Sequence, residues 1–136
     1  MKYLNNLLLK CFLHKLPPEL AHNITLKLIK TGLFLNNSKD SHKNLNIKLG
    51  NIDFKHPIGL AAGFDKDGEV FHQIDKLGLS HTEIGTVTPK FQIGNKKPRV
   101  FRLSEDNAII NSLGFPSKGE KYLIKRLERY HSNIPL

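Results

Sequence analysis

Acidic residues are scarce in this sequence, cysteine is nearly absent, and no long apolar run occurs. The single Cys11 excludes an internal disulfide framework and any multi-cysteine metal site. Seven histidines include no pair spaced by three or four, so a helical histidine zinc site has no support. No stretch of about 18 apolar residues exists, so no transmembrane helix is expected. A signal peptide is not expected either, because Asn5, Asn6 and Lys10 interrupt the first apolar segment and no small-residue cleavage site follows. Internal repeats and low-complexity blocks are also missing.

The shortage of acids is uneven. Twelve Asp and Glu face 21 Lys and Arg, a net charge of +9. From Met1 to Lys48 there are eight lysines and only two acids, Glu19 and Asp40, so this third of the chain carries +6 of that excess. Such a basic segment suits an anionic partner, phospholipid or nucleic acid. Its charges are all lysine among Leu and Ile, which leans towards lipid. The 136 residues suffice for one domain with a core.

What is present is organised around Pro57–Gly68. The apolar run Ile58-Gly59-Leu60-Ala61-Ala62 reads as a buried parallel strand. Gly59, Ala61, Ala62 and Gly63 carry little side chain, so a bulky group can approach the backbone. Lys66 then stands just past the strand end, where α/β proteins place their chemistry. A plain strand-to-helix turn with a solvated lysine fits the same residues.

In chain order, Tyr3 to Leu16 reads as a helix ended by Pro17-Pro18. A second helix runs from Pro18 to about Thr31, with Leu20, Ile24 and Leu28 spaced by four, Ala21 beside them and Gly32 as its stop. The two form either an ordinary helical hairpin on a core or an interfacial pair lying on a bilayer. Asn36 to Asn44 reads as a linker. Leu45, Ile47 and Leu49, then Ile52 and Phe54, alternate about Gly50-Asn51, a hairpin with a II′ turn. Gly68 to Leu77 reads as a helix stopped at Gly78, and Thr82 to Val87 as a strand. That makes a βαβ unit with parallel strands, and puts Lys66 and Thr86 at the same end. After the loop Pro89 to Arg99, Val100–Leu103 and Ala108–Ile110 read as a hairpin about Ser104–Asn107. Asn111 to Pro116 is turn-rich. A last helix starts at Ser117 with Glu120 completing a capping box, and buries Leu123, Leu127 and Tyr130.

These segments resemble the N-terminal part of the membrane-associated, quinone-dependent (class 2) dihydroorotate dehydrogenases. The resemblance rests on Asn51-Ile-Asp-Phe-Lys-His-Pro-Ile-Gly-Leu-Ala-Ala-Gly-Phe-Asp-Lys-Asp-Gly68, Glu83-Ile-Gly-Thr-Val-Thr-Pro89, Lys97-Pro-Arg-Val-Phe-Arg-Leu103 and Ile110-Asn-Ser-Leu-Gly-Phe115. Leu16-Pro-Pro-Glu-Leu-Ala-His22 matches the family's second helix. Each is weak alone; four in order are specific.

The resemblance implies an FMN-bearing (β/α)₈ TIM barrel, of which residues 41–136 supply the first portion. Residues 1–40 would form a small two-helix domain for membrane and quinone access. It implies oxidation of dihydroorotate to orotate in pyrimidine biosynthesis, with a membrane quinone as acceptor. By the same resemblance Ala62, Gly63, Phe64, Asp65, Lys66 and Thr86 border FMN, and Lys66, Asn111, Ser112, Leu113, Gly114 and Phe115 hold the substrate. Ser112 departs from the family's usual Arg. A complete barrel needs about 250 residues, and the family's serine base lies well downstream. The sequence therefore reads as an N-terminal fragment, inactive alone, with unpaired strand edges that favour aggregation. The implied setting is the periphery of a bacterial inner membrane, on its cytoplasmic face, with no nucleic acid bound. A small basic protein acting on membrane or RNA without catalysis is the rival class, and retention of flavin separates the two. A soluble flavin barrel with another acceptor is disfavoured by the helices at Tyr3 to Thr31.

Overall fold

Proline and glycine bracket the first well-defined element. In a computed structural model of the protein, which describes residues 11–32, 43–130 and 134–136, helix α1 spans Pro18–Thr31. Pro18 sits in its first turn, where a missing amide costs nothing, with Glu19 beside it, and Lys30 lies in the last turn. Gly32 closes the helix in the left-handed region (φ 73°), its amide donating to Ile29 O at 3.0 Å. Residues 11–15 are helical as expected; positions 3–10 of that reading lie outside the described residues, as do 36–42 of the expected linker.

The buried face of α1 keeps Ala21 of the expected stripe but turns away from Leu20. Ala21 and Ile29 are buried and Leu26 packs on the core, whereas Leu20 is 46% exposed. Spacing by four fits both faces. The choice falls to the side that meets Val70, Ile74 and Ile134, which with Ile29 form the core. Leu60, Phe64 and Leu79 pack against it. Burying each such side chain contributes about 1.5–3 kcal/mol.

Strands β1 (Ile47–Leu49) and β2 (Ile52–Phe54) form the expected hairpin. Gly50 has φ 59° while Asn51 stays at negative φ, which is the II′ signature. Strands β3 (Val100–Leu103) and β4 (Ala108–Asn111) pair antiparallel, from Val100 opposite Asn111 to Leu103 opposite Ala108. The loop before them carries cis Lys97-Pro98.

Residues 58–63 and 80–85 run side by side and parallel. Leu60 and Thr82 are bridged, the Leu60 amide donates to His81 O at 3.0 Å, and Gly63 donates to Gly85 O at 2.8 Å. The expected parallel pairing is present, but the buried strand is not. Ile58 is 65% exposed and Ala61 and Ala62 are exposed as well, because this segment is flanked on one side only among the described residues.

Two further expectations are corrected. Gly68 to Leu77 is not an α-helix but two single 3₁₀ turns, Phe71–Gln73 and Asp75–Leu77. Their amides bond three residues back, Gln73 to Val70 and Leu77 to Ile74. The Asp65 carboxylate instead takes the amides of Glu69 (2.5 Å) and Val70 (2.8 Å), which a helix starting at Gly68 would leave facing water. Of the apolar face expected at Val70, Phe71, Ile74 and Leu77, the first three are fully buried and Leu77 is exposed; Gly78 ends the segment at φ 83°. The last helix, α2 (Glu120–Leu127), has no capping box. Its N-cap is Gly119, and the Ser117 hydroxyl accepts the amides of Gly119 (3.1 Å) and Thr88 (3.3 Å) instead. Leu123, Leu127 and Tyr130 are half-buried rather than buried. Tyr130 stacks on Phe71 with ring centroids 5.5 Å apart.

Candidate functional site

A cavity of about 650 Å³ lies between α1 and the rest of the described chain. One wall is α1, with Glu19, His22 and Leu26. The floor is Gly63 to Asp67, and the far side comes from Ile93, Arg99, Arg102, Ile109, Asn111 and Leu113. Residues some 45 positions apart in the chain, Lys66 and Asn111, thus meet on one hollow.

Of the sequence-derived candidates, Gly63, Phe64, Asp65, Lys66, Asn111 and Leu113 line this cavity. Ala62, Thr86, Ser112, Gly114 and Phe115 do not. Ala62 and Thr86 are exposed and adjoin the Gly63–Gly85 hydrogen bond, so they share the end of the paired segments. The Gly85-Thr86 peptide is cis.

Lys66 is half-buried, and its Nζ donates to Gly63 O at 2.5 Å. Burial pushes its pKa down, more strongly than the carboxylates of Asp67 and Glu19 hold it up. His22 packs edge-to-face on Phe64, centroids 5.1 Å apart, which joins α1 to the Gly63–Lys66 rim. Burial, and then the Lys66 charge, lower the His22 pKa. Asp65 is fully buried, its carboxylate committed to the amides of residues 69 and 70.

The turn after β4 is held from behind. Asn95 Nδ2 donates to Ser112 O (2.8 Å), Asn95 N to Leu113 O (3.0 Å) and Gln92 Nε2 to Gly114 O (2.8 Å). The Ser112 amide donates to Arg99 O at 2.9 Å. Asn111 Oδ1 accepts the Leu113 amide at 3.3 Å, closing an Asx turn. Phe115 sits at φ 51°, a conformation that costs a bulky residue free energy, with its ring 65% exposed.

Sequence reasoning passed over the charged frame of this cavity. Arg99 is only 6% exposed, and its Nη2 pairs with Glu19 Oε1 at 2.6 Å. Arg102 donates to the carbonyls of Leu13 (3.3 Å), His14 (3.0 Å) and Leu16 (2.5 Å), capping the first helical segment. All four of Glu19, His22, Arg99 and Arg102 stand inside the segments that carry the family resemblance. That was the available signal; their residue types alone read as solvated charges. Among the described residues no group of three His, Cys, Asp or Glu could hold a metal ion, and no helix is long and apolar enough to cross a membrane.

The chain is similar to known proteins over most of its length. A chain titled dihydroorotate dehydrogenase (quinone) from Bartonella tribocorum is 50% identical over 115 residues, covering 85% of this chain and 32% of its own length. The one from Azorhizobium caulinodans is 45% identical over 129 residues, 94% of this chain and 36% of its own. The crystal structure of the Eimeria tenella enzyme in complex with ferulenol superposes with a TM-score of 0.78 at 43% identity, covering 82% of this chain and 30% of that one. The chain therefore spans about a third of the length of the relatives it matches. The family model for dihydroorotate dehydrogenase matches residues 44–135, a range that holds the cavity floor and the turn after β4, and this chain belongs to that family.

Proposed function

We propose that this chain supplies the N-terminal part of a dihydroorotate dehydrogenase that oxidises dihydroorotate to orotate through FMN and passes the electrons to a membrane quinone. The observation that carries the reading is the meeting of the Gly63–Lys66 rim with Asn111 and Leu113 on one cavity beside α1.

The residues present fit FMN. A Cβ placed on Gly63 would meet nothing within 4 Å, so open space lies before that backbone. Ala62 and Thr86 are uncovered on the same end. Together with Phe64, Asp65 and Lys66 they would hold the flavin within a (β/α)₈ barrel, where bound FMN supplies the hydride acceptor. Lys66, pinned by Gly63 O, presents a cation to the substrate carboxylate. Asn111 offers an amide donor while its oxygen is engaged by Leu113, and residues 112–115 complete the substrate turn. The first 40 residues, the membrane and quinone part, bring α1 against the cavity. Phe12 and Leu20 stay exposed there, which suits the surface of a bilayer. The reading puts the protein at the periphery of a bacterial inner membrane, on its cytoplasmic face.

The test is a chimera in which residues 1–136 replace the matching part of the Bartonella tribocorum relative. The expected product is yellow, retains FMN through gel filtration and reduces a quinone or dye when given dihydroorotate. A colourless, folded chimera would overturn the proposal.

A further inference from the structure

Arg99 connects three parts of the molecule that no other described side chain joins. Its Nε and Nη2 donate to Glu19 Oε1 on α1, at 3.2 and 2.6 Å. Its Nη1 donates to Ile93 O (2.7 Å) and Asn95 O (3.0 Å) in the loop before β3, and reaches Leu113 O (3.4 Å) in the turn after β4. The guanidinium is a rigid fork, so these acceptors are fixed relative to one another and not merely each tethered to a flexible chain. Gly94 lies close against both Arg99 and the turn. A Cβ on Gly94 would stand 2.6 Å from Arg99 Nη1 and 2.3 Å from Leu113 O.

We propose that Arg99, anchored on Glu19, is a positioning residue that sets the 111–115 turn against the cavity and couples that turn to α1. The carbonyls of Ser112, Leu113 and Gly114 all accept from Gln92, Asn95 or Arg99. The side that carries Asn111 and Leu113 towards the cavity is therefore placed by what holds the turn from behind. A displacement of α1 at Glu19 moves the guanidinium, and the guanidinium moves Leu113 O. The functional consequence rests on the substrate reading of this turn; the mechanical coupling does not.

Two arms test it. On the purified chain, amide hydrogen exchange is compared between wild type, Arg99→Lys and Glu19→Gln. Arg99→Lys keeps the charge but not the fork, and exchange across residues 111–116 should rise about tenfold or more while α2 stays within about twofold. Glu19→Gln should raise exchange across 111–116 as well, although it lies on another element. Unchanged exchange there in Arg99→Lys overturns the proposal, and a Glu19→Gln effect confined to α1 overturns the coupling. In the chimera, Arg99→Lys should raise the KM for dihydroorotate about tenfold in a dye-coupled assay with little change in kcat. A fall in kcat alone would mark Arg99 as general scaffolding and overturn the positioning role. A wild-type chimera without dihydroorotate turnover removes the functional reading, and the exchange arm then decides the coupling by itself.

Discussion

Lys66 and Glu69 lie three residues apart and are treated in opposite ways by their surroundings. Lys66 has a carbonyl for a partner and loses hydration, and burial lowers its pKa. In the chimera, Lys66→Ala should lower kcat/KM for dihydroorotate by about 100-fold or more, the scale for losing a preorganised charge. Unchanged kinetics would remove Lys66 from the site. Glu69 is a hub. Lys30 from α1 and Lys118 both pair with its carboxylate, and the Tyr122 hydroxyl donates at 2.7 Å. Burial alone would push its pKa up, but these three donors outweigh it and bring the pKa to about 2 from an ordinary 4.5. A carboxylate depressed in the folded state stabilises above its unfolded pKa and loses that contribution as pH falls. Glu69→Gln should therefore lower the urea midpoint at pH 6, and the gap to wild type should shrink between pH 4.5 and pH 2. A gap that stays constant with pH would mean the carboxylate charge is not what holds α1 and α2 together.

At the scale of elements, α1 is fastened near both ends, by Glu19 to Arg99 and by Lys30 to Glu69. Between them it lends Ile29 to the core and His22 to the cavity. The loop at 89–99 is the second organising element, with Gln92 and Ser117 paired backbone to backbone at 2.8 Å in both directions. Gly94 is its tightest point, at φ 77° with Leu113 O where a Cβ would go. Gly94→Ala combines a disfavoured backbone with a backbone clash and should cost about 2–4 kcal/mol, read as a lower urea midpoint. Gly78→Ala is the control, because its Cβ meets nothing within 4 Å at a similar φ of 83°. If the two variants lose stability equally, the close approach at Gly94 has no energetic weight.

At the scale of the whole molecule, the apolar surface is large for the few buried residues among those described. Phe91 (71%), Ile93 (75%), Ile109 (64%) and Ile110 (56%) are exposed along with Ile58 and Phe115. Such a surface drives association. The purified 136-residue chain should self-associate in the micromolar range, seen as a sedimentation coefficient that rises with concentration. A concentration-independent monomer would show that these side chains find cover in solution.

By itself the sequence determined what nearest-neighbour physics can write. Pro18 and Gly32 bounded α1, Gly50-Asn51 made the first hairpin, Gly78 stopped the segment before it, and four ordered motifs identified the family. Backbone dihedral limits and short periodicities act within a few residues, so they are legible without a structure. Only the tertiary structure decided which face of α1 is buried, that residues 68–77 form two tight turns around the Asp65 carboxylate, and that Ser117 caps its own turn and not a helix. It alone made Arg99 a buried hub, because its carboxylate partner lies 80 positions away and no local pattern encodes a charge pair at that distance. Burial is a property of what arrives from elsewhere in the chain, and that is settled only when the chain closes on itself.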